Sequence, residues 1–241
     1  MKLKDKFVLI TGGAKRLGRI LALLVAREGG SLLIHHRSSP DAASSLRNDI
    51  LELGKTADII QSDFSSIDAR NNFINEVFEN YDIDIVINNA SLFANLDWKT
   101  TTVDNWRAHQ VVNLETPFFI SQAFAKSLPE NKKGKIINML DWRAQKPGAD
   151  HLPYTISKAG LATLTKSLAV SLAPNITVNG IALGAILPPT TGGPMNRITD
   201  GLPISRWATI SEFEETALFL LAAPDYITGE IIHLDGGRHL L

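Results

Sequence analysis

Cysteine is absent from the 241 residues of this chain, which excludes disulfide bonds and cysteine-ligated metal sites. An excess of either charge is also missing: 24 Lys and Arg against 25 Asp and Glu give a net charge of −1. Nothing in this balance favours a nucleic-acid or anionic-membrane partner. No apolar run approaches the roughly 18–20 residues of a membrane span, and Phe7–Ile10 is too short for a signal peptide. We therefore expect a cytoplasmic protein without a metal site.

Short apolar runs alternate with longer segments of helical periodicity. Hydrophobic residues make up 44% of the chain, enough for a sizeable core. Strand–helix alternation with short connections predicts an α/β fold with a parallel sheet, because parallel neighbours are joined by helical crossovers. With no internal repeat and no linker, we expect one domain over residues 1–241. The predicted strands are Phe7–Ile10, Ser31–Ile34, Ala57–Ile60, Ile83–Ile87, Lys135–Met139, Ile176–Ile181 and Glu230–Leu234.

One segment breaks this rhythm. Residues 184–205 are rich in proline and glycine and show no helical period. A long irregular segment in a compact domain is usually functional or mobile. Two interpretations stay open at this point: a lid over a bound ligand, or an ordinary surface loop.

The turn after the first predicted strand has the composition of a phosphate-binding loop. Gly12, Gly13 and Gly18 would let the backbone approach a pyrophosphate at the positive end of the following helix. The second predicted strand then ends in His36-Arg37-Ser38, with no carboxylate before Asp41. A guanidinium with neighbouring donors suits a 2′-phosphate, so the pattern favours NADPH over NADH. The alternative is a solvated basic turn.

A second group of polar residues follows the fifth predicted strand. Tyr154 and Lys158 are four residues apart and share one face of a predicted helix. A nearby ammonium would lower the tyrosine pKa from about 10, whereas an ionised Asp141 would raise it. His151 precedes this pair, and we expect it at the surface. Asn113 precedes Pro117 in another helical segment, where it is either functional or a polar residue at a kink.

These motifs, in this order, resemble the short-chain dehydrogenases/reductases from about Lys6 to Gly237. The resemblance implies a seven-stranded Rossmann-type doubly wound sheet, a homotetramer, and a catalytic set of Asp141, Tyr154, Lys158 and Asn113, with Asn113 positioning a water in a proton relay. It also implies a cofactor site made by Gly12, Lys15, Arg16, Leu17, Gly18, His36, Arg37, Ser38, Asp63, Asn89, Ala90, Ser91, Tyr154, Lys158 and Gly184.

Two unusual residues narrow the resemblance to one subgroup of this family. Arg16 stands where a glycine is common in this family, and Asp141 where a serine is common. Both are features of the pteridine reductases and their dihydromonapterin and dihydrofolate reductase relatives. This subgroup implies NADPH-dependent hydride transfer to a C=N bond of a pterin or dihydrofolate-type substrate. The implied substrate-binding residues are Arg16, Ser91, Phe93, Asp141 and Tyr154.

Two other functions remain compatible with the sequence. An NADPH-dependent carbonyl reductase of the same family would act on a ketone, but it leaves Asp141 unexplained. A non-enzymatic NADP(H)-binding regulator would need neither Tyr154 nor Lys158, because a sensor requires no proton donor.

Overall fold

The computed structural model describes residues 1–188 and 199–241. Seven parallel strands form one sheet in the order β3-β2-β1-β4-β5-β6-β7. This confirms the predicted Rossmann-type fold. Of the irregular segment predicted at 184–205, residues 189–198 lie outside the described residues. The strands are β1 (Phe7–Ile10), β2 (Ser31–His36), β3 (Ala57–Gln61), β4 (Ile85–Asn88), β5 (Gly134–Asp141), β6 (Ile176–Leu183) and β7 (Ile231–Leu234).

Helices cover both faces of the sheet, as the continuously apolar strands require. Successive strand residues point to opposite faces: Val8 and Ile10 join one core cluster, and Leu9 joins the other. Helices α1 (Arg16–Arg27), α2 (Pro40–Glu52) and α7 (Ile210–Leu221) pack on the first face. Helices α3 (Ile67–Asn80), α5 (Thr116–Ser127) and α6 (Leu152–Leu172) pack on the second.

The strand order reverses direction between β1 and β4, which are adjacent although two strands separate them in sequence. In doubly wound sheets a crevice opens at this point, outside the carboxyl ends of the strands. The turn after β1, the end of β2 and the loop after β4 meet there. The topology therefore brings the predicted cofactor residues to one edge of the sheet.

The catalytic candidates sit on neighbouring elements at the same edge. Asp141 is the last residue of β5, and Tyr154 and Lys158 lie in the first two turns of α6. Helix α4 (Val103–Gln110) continues into a π-helical turn, Val111–Glu115, before α5 begins. Such turns are rare and often mark functional sites. Within residues 1–188 and 199–241, no helix has both the length and the hydrophobicity needed to cross a bilayer.

Candidate active site

A cleft of about 230 Å³ opens at the carboxyl ends of β1, β2 and β4. Its walls bring together eight of the predicted cofactor residues, from four separate stretches of the chain. These eight are Gly12, Lys15, His36, Arg37, Ser38, Asp63, Ala90 and Ser91.

The chemistry of the cleft walls differs from one end to the other. Arg37 and Ser38 are exposed at the end of β2, and Lys15 lies at the cap of α1. Across the cleft, two hydrogen bonds from Ser65 lower the pKa of Asp63, and the charge of Arg37 lowers it further. Cationic and hydroxyl donors thus lie at the corner where a 2′-phosphate was predicted, and they fit that group. Gly12 has φ +62°, and a Cβ there would come within 3.0 Å of the Ala90 backbone, so a side chain would crowd this wall.

His35, which the sequence interpretation passed over, connects two walls of the cleft. Its Nδ1 accepts a hydrogen bond from the Gly12 amide at 3.0 Å, and its Nε2 donates to the Ser62 carbonyl at 2.9 Å. The ring stacks on Phe64 with centroids 4.0 Å apart. These bonds require a neutral imidazole, and burial lowers the His35 pKa from 6.5 to about 4. A strand covered on both faces buries both of two adjacent histidines, so the sequence indicated that His35 is buried but not which groups it contacts.

We expect His35 to make the fold sensitive to acid. Because the pKa of His35 is lower in the folded protein than in the unfolded chain, the unfolded chain binds a proton first as the pH falls. The contribution of His35 to the free energy of unfolding is therefore fully present above pH 6.5 and is lost as the pH approaches 4. The loss from this group is about 3 kcal/mol between pH 7 and pH 4. Urea unfolding of wild type and His35→Gln across this range would measure it. Identical pH slopes for the two proteins would contradict this role of His35.

Arg16 occupies a backbone conformation that favours glycine. Its φ of +52° lies in the left-handed region, which costs an ordinary residue about 1–2 kcal/mol. That geometry explains why glycine is common at this position in the family that the sequence resembles. The guanidinium donates to the Pro188 carbonyl at 2.8 Å, connecting the turn after β1 to the segment after β6.

Three predicted cofactor residues act through packing in the structure. Gly18 brings α1 against the turn, because a Cβ would lie 2.2 Å from the Gly12 carbonyl oxygen. Leu17 packs against the core cluster of the first face. Gly184 lies against Asp235, where a Cβ would come within 2.6 Å of the Asp235 Cα. None of the three lines the described cleft.

Asn89 also supports the cleft from outside its lining. The Asn89 amide donates to the carbonyls of Thr11 and Gly12, each at 2.9 Å. The Thr11 hydroxyl in turn accepts from the backbone amides of Asn89 and Ala90 at 3.0 Å. These bonds join the end of β4 to the turn after β1, so Asn89 positions the backbone that is predicted to bind phosphate.

Asp141, Tyr154 and Lys158 form one connected group. The Tyr154 hydroxyl donates to an Asp141 carboxylate oxygen at 2.9 Å, and the other oxygen accepts from the Arg143 amide at 2.8 Å. Lys158 donates to the Met139 carbonyl at 2.6 Å, and its Nζ lies 5.8 Å from the centre of the Tyr154 ring. Tyr154 and Lys158 are both buried, with 6% and 3% exposure.

The electrostatics of this group keep the phenol protonated. Burial and the Asp141 carboxylate raise the pKa of Tyr154 well above its ordinary value of 10. Burial is the largest cause, the Asp141 carboxylate adds to it, and the positive charge that lowers the Tyr154 pKa is that of Arg143. Burial also lowers the pKa of Lys158 to about 8. The site therefore holds a neutral hydroxyl that is hydrogen-bonded to a carboxylate, and such a group can donate a proton.

Asn113 lies in the π-helical turn and is fully buried. Its Oδ1 accepts from the Leu92 amide at 2.7 Å and the Ser91 hydroxyl at 3.2 Å. Its Nδ2 donates to the Leu92 carbonyl at 3.0 Å and to Ser157 Oγ at 2.9 Å. Protein groups fill all four positions of the side-chain amide. Asn113 thereby holds residues 91–92 against α6, and its part in a water relay stays a prediction.

Phe93 and His151 stack beside Tyr154. Phe93 is 60% exposed, and its ring lies edge-to-face with Tyr154 at a centroid distance of 4.7 Å. The His151 ring stacks on Phe93 at 4.1 Å and 11°. The expectation that His151 is a surface residue was wrong, since only 12% of its side chain is exposed. From the sequence, a polar residue just before a helix is expected to be exposed to solvent. The burial of His151 comes from its contact with Phe93, which the sequence does not show.

Comparison with known proteins places this site in a family. The profile described as Enoyl-(Acyl carrier protein) reductase matches residues 12–239. The 3-oxoacyl-(acyl-carrier-protein) reductase FabG of Aquifex aeolicus is 29% identical over 244 residues, covering 98% of each chain. The 2-dehydro-3-deoxy-D-gluconate 5-dehydrogenase of Bacillus subtilis is 31% identical over 244 residues, covering 98% of this chain and 95% of the relative.

A solved structure resembles the chain over its whole length. It is FolM alternative dihydrofolate reductase 1 from Brucella canis, complexed with NADP. The two proteins share 33% identity with a TM-score of 0.90, covering 100% of this chain and 97% of that one. Together with the sheet order and the Asp141–Tyr154–Lys158 group, these matches identify the chain as a member of the short-chain dehydrogenase/reductase family, in the branch described by the enoyl-(acyl carrier protein) reductase profile.

Proposed function

We propose that this oxidoreductase uses NADPH to reduce a C=N bond of a pterin or dihydrofolate-type substrate. The observation that carries the proposal is the 2.9 Å hydrogen bond from Tyr154 to Asp141. It couples the proton donor to a carboxylate, where a ketone reductase of this family commonly has a hydroxyl. The similarity to the FolM protein, at 33% identity, supports the same assignment.

The chain binds NADP(H), as the Brucella canis protein does in its NADP complex. Arg37, Ser38 and Lys15, which line the cleft, would hold the phosphates, and Asp63 in the same cleft would contact the adenine. Lys158 would hold the nicotinamide ribose. Bound NADPH would supply the hydride, and the protein contributes orientation and the proton.

The substrate pocket is proposed at the exposed side of Phe93. A flat heterocycle could stack on this ring with its polar edge near Ser91 and Arg16. Both residues are exposed at the same end of the sheet. Tyr154 would then face the reacting C=N bond from the catalytic helix.

In the proposed reaction, Tyr154 donates the proton, and Lys158 and Asp141 support it. The O–H bond of Tyr154 breaks as an N–H bond forms on the substrate. Lys158, 5.8 Å from the ring centre, offsets the negative charge that develops on the phenol oxygen. Asp141 is half-buried and accepts from Tyr154, and in this proposal its carboxylate passes a proton from solvent back to the phenol.

A ketone reductase remains the second candidate, because the FabG relative of Aquifex aeolicus is 29% identical. The retained Tyr154–Lys158 pair serves either reaction, whereas Asp141 favours the nitrogen heterocycle. The same pair speaks against a non-enzymatic regulator. A homotetramer and a cytoplasmic location stay predictions.

Steady-state NADPH oxidation separates these functions. The panel contains dihydrobiopterin, dihydromonapterin, dihydrofolate, a 3-oxoacyl thioester and simple ketones. The proposal requires turnover of at least one pterin or folate with a kcat/KM above that of every ketone. Activity confined to ketones would refute it, and no activity with any compound would favour the regulator.

Arg37 should determine the choice between the two nicotinamide cofactors. Arg37→Ala removes the guanidinium at the end of β2, and a charged contact of this kind is worth about 1.5–3 kcal/mol. We expect the Kd of NADPH to rise by about 10–100-fold and that of NADH to change less than threefold. Fluorescence titration measures both, with the exposed α2 residue Arg47 changed to Ala as the control. Equal losses for the two cofactors would show that Arg37 does not contact the 2′-phosphate.

A further inference from the structure

We propose that His151 is a positioning residue for the substrate, holding the loop after β4 on the catalytic helix so that the Phe93 ring is fixed beside Tyr154. This inference rests on the proposed function of that site. His151 belongs to no motif of the cofactor or the catalytic group. Apart from the Asp150 carboxylate, which lies 3.6 Å from its Nε2, its side chain contacts the loop after β4 through Ala94 and Phe93.

The loop, residues 89–102, has no regular secondary structure before Trp98 and needs outside support. Asn113 supports its beginning through the backbone of Leu92. At its middle, the His151 Nδ1 lies 2.9 Å from the Ala94 carbonyl, and the Leu152 amide donates to the Leu96 carbonyl at 2.7 Å. Two backbone carbonyls of the loop are therefore tied to the first residues of α6.

The side chain of His151 adds a ring contact to these bonds. Because a carbonyl only accepts, Nδ1 carries the hydrogen and the ring orientation is set by Ala94. So oriented, the imidazole lies parallel to Phe93, with 11° between the planes. Phe93 in turn meets Tyr154 at 80°. The Phe93 ring therefore contacts His151 on one side and Tyr154 on another.

The backbone of His151 adopts a conformation that residues other than glycine rarely adopt. Its φ of +53° and ψ of +36° lie in the left-handed region, at the N-cap of α6. A non-glycine residue there is uncommon and persists where surrounding contacts hold it. No side-chain cap bond to α6 accompanies this conformation. The imidazole is directed to the loop instead of to the helix that it precedes.

The decisive variant is His151→Gly, because glycine accepts the left-handed backbone while removing both the ring and the donor. We expect the KM for the preferred dihydropterin to rise about tenfold, the scale of a lost aromatic contact. The kcat should stay within about twofold and the Kd of NADPH should not change, because Asp141, Tyr154, Lys158 and the cofactor cleft are untouched. His151→Asn, which restores a donor toward Ala94, should recover part of the KM. The exposed loop residue Asn95, changed to Ala, is the control.

Amide hydrogen exchange tests the loop without any substrate. In His151→Gly, the Leu152 amide should exchange at least about tenfold faster, while the Leu92 amide, held by Asn113, keeps its rate. The Thr155 amide, which donates to the His151 carbonyl, reports that the start of α6 is intact. Unchanged exchange at Leu152, or faster exchange with an unchanged KM, would overturn the role of His151. Faster exchange in a protein that turns over no pterin would leave the loop contact standing and refute the proposed function alone.

Discussion

Replacing Tyr154 by Phe is expected to lower kcat for NADPH-dependent reduction by about 10²–10⁴-fold, the usual contribution of a positioned proton donor. The hydroxyl removed is the one that donates to Asp141 at 2.9 Å. The ring that packs edge-to-face with Phe93 remains, so substrate and NADPH binding should change little. Single-turnover NADPH oxidation, which isolates the chemical step from product release, measures the loss directly.

Tyr226→Phe is the matched control, since that tyrosine is fully exposed. It should retain the wild-type rate. A Tyr154→Phe enzyme with more than about a third of the wild-type kcat would show that another group delivers the proton. Loss of NADPH affinity in the same variant would point to a disturbed cofactor cleft instead.

Replacing Asp141 by Ser should lower pterin reduction by at least about tenfold. The change removes the carboxylate that accepts from Tyr154, and with it one of the causes that raise the tyrosine pKa. The Tyr154 pKa should move down toward its ordinary value, and the alkaline limb of the pH–rate profile should move with it. Turnover of a ketone should fall less than turnover of the pterin, because a hydroxyl at this position suits carbonyl reduction.

The comparison with Asp225→Ser controls for the loss of a carboxylate elsewhere, since Asp225 is exposed and pairs with Lys135 far from the catalytic group. An unchanged pterin rate in Asp141→Ser would remove Asp141 from the mechanism. An equal fall for pterin and ketone would assign Asp141 a general role in the site without any part in substrate choice.

The sheet was predictable because its signals are local. The seven apolar runs all became strands, and the differences lie at their ends. Strand β4 begins at Ile85 instead of Ile83, and β5 extends to Asp141. The last point matters, because it places the carboxylate on the sheet itself.

Much of the candidate site was predictable for a similar reason. The sequence alone shows the glycines after β1, the basic end of β2 and the Tyr154–Lys158 spacing. Residues that act through tertiary contacts were missed. His35 looks like any strand residue until its bonds to Gly12 and Ser62 are seen. His151 has the sequence context of a solvent-exposed residue, and only the structure shows that its ring stacks on Phe93. Neither contact leaves a periodic trace in sequence.

The most direct test of the central claim is to follow the hydride. The enzyme would be incubated with NADPH deuterated at the transferred position, together with equal concentrations of a dihydropterin and a 3-oxoacyl thioester, and the products examined by mass spectrometry and NMR. We expect one deuterium on a ring carbon of the reduced pterin, adjacent to the newly protonated nitrogen. Deuterium found in the hydroxyacyl product, with an unlabelled and unreduced pterin, would contradict the account.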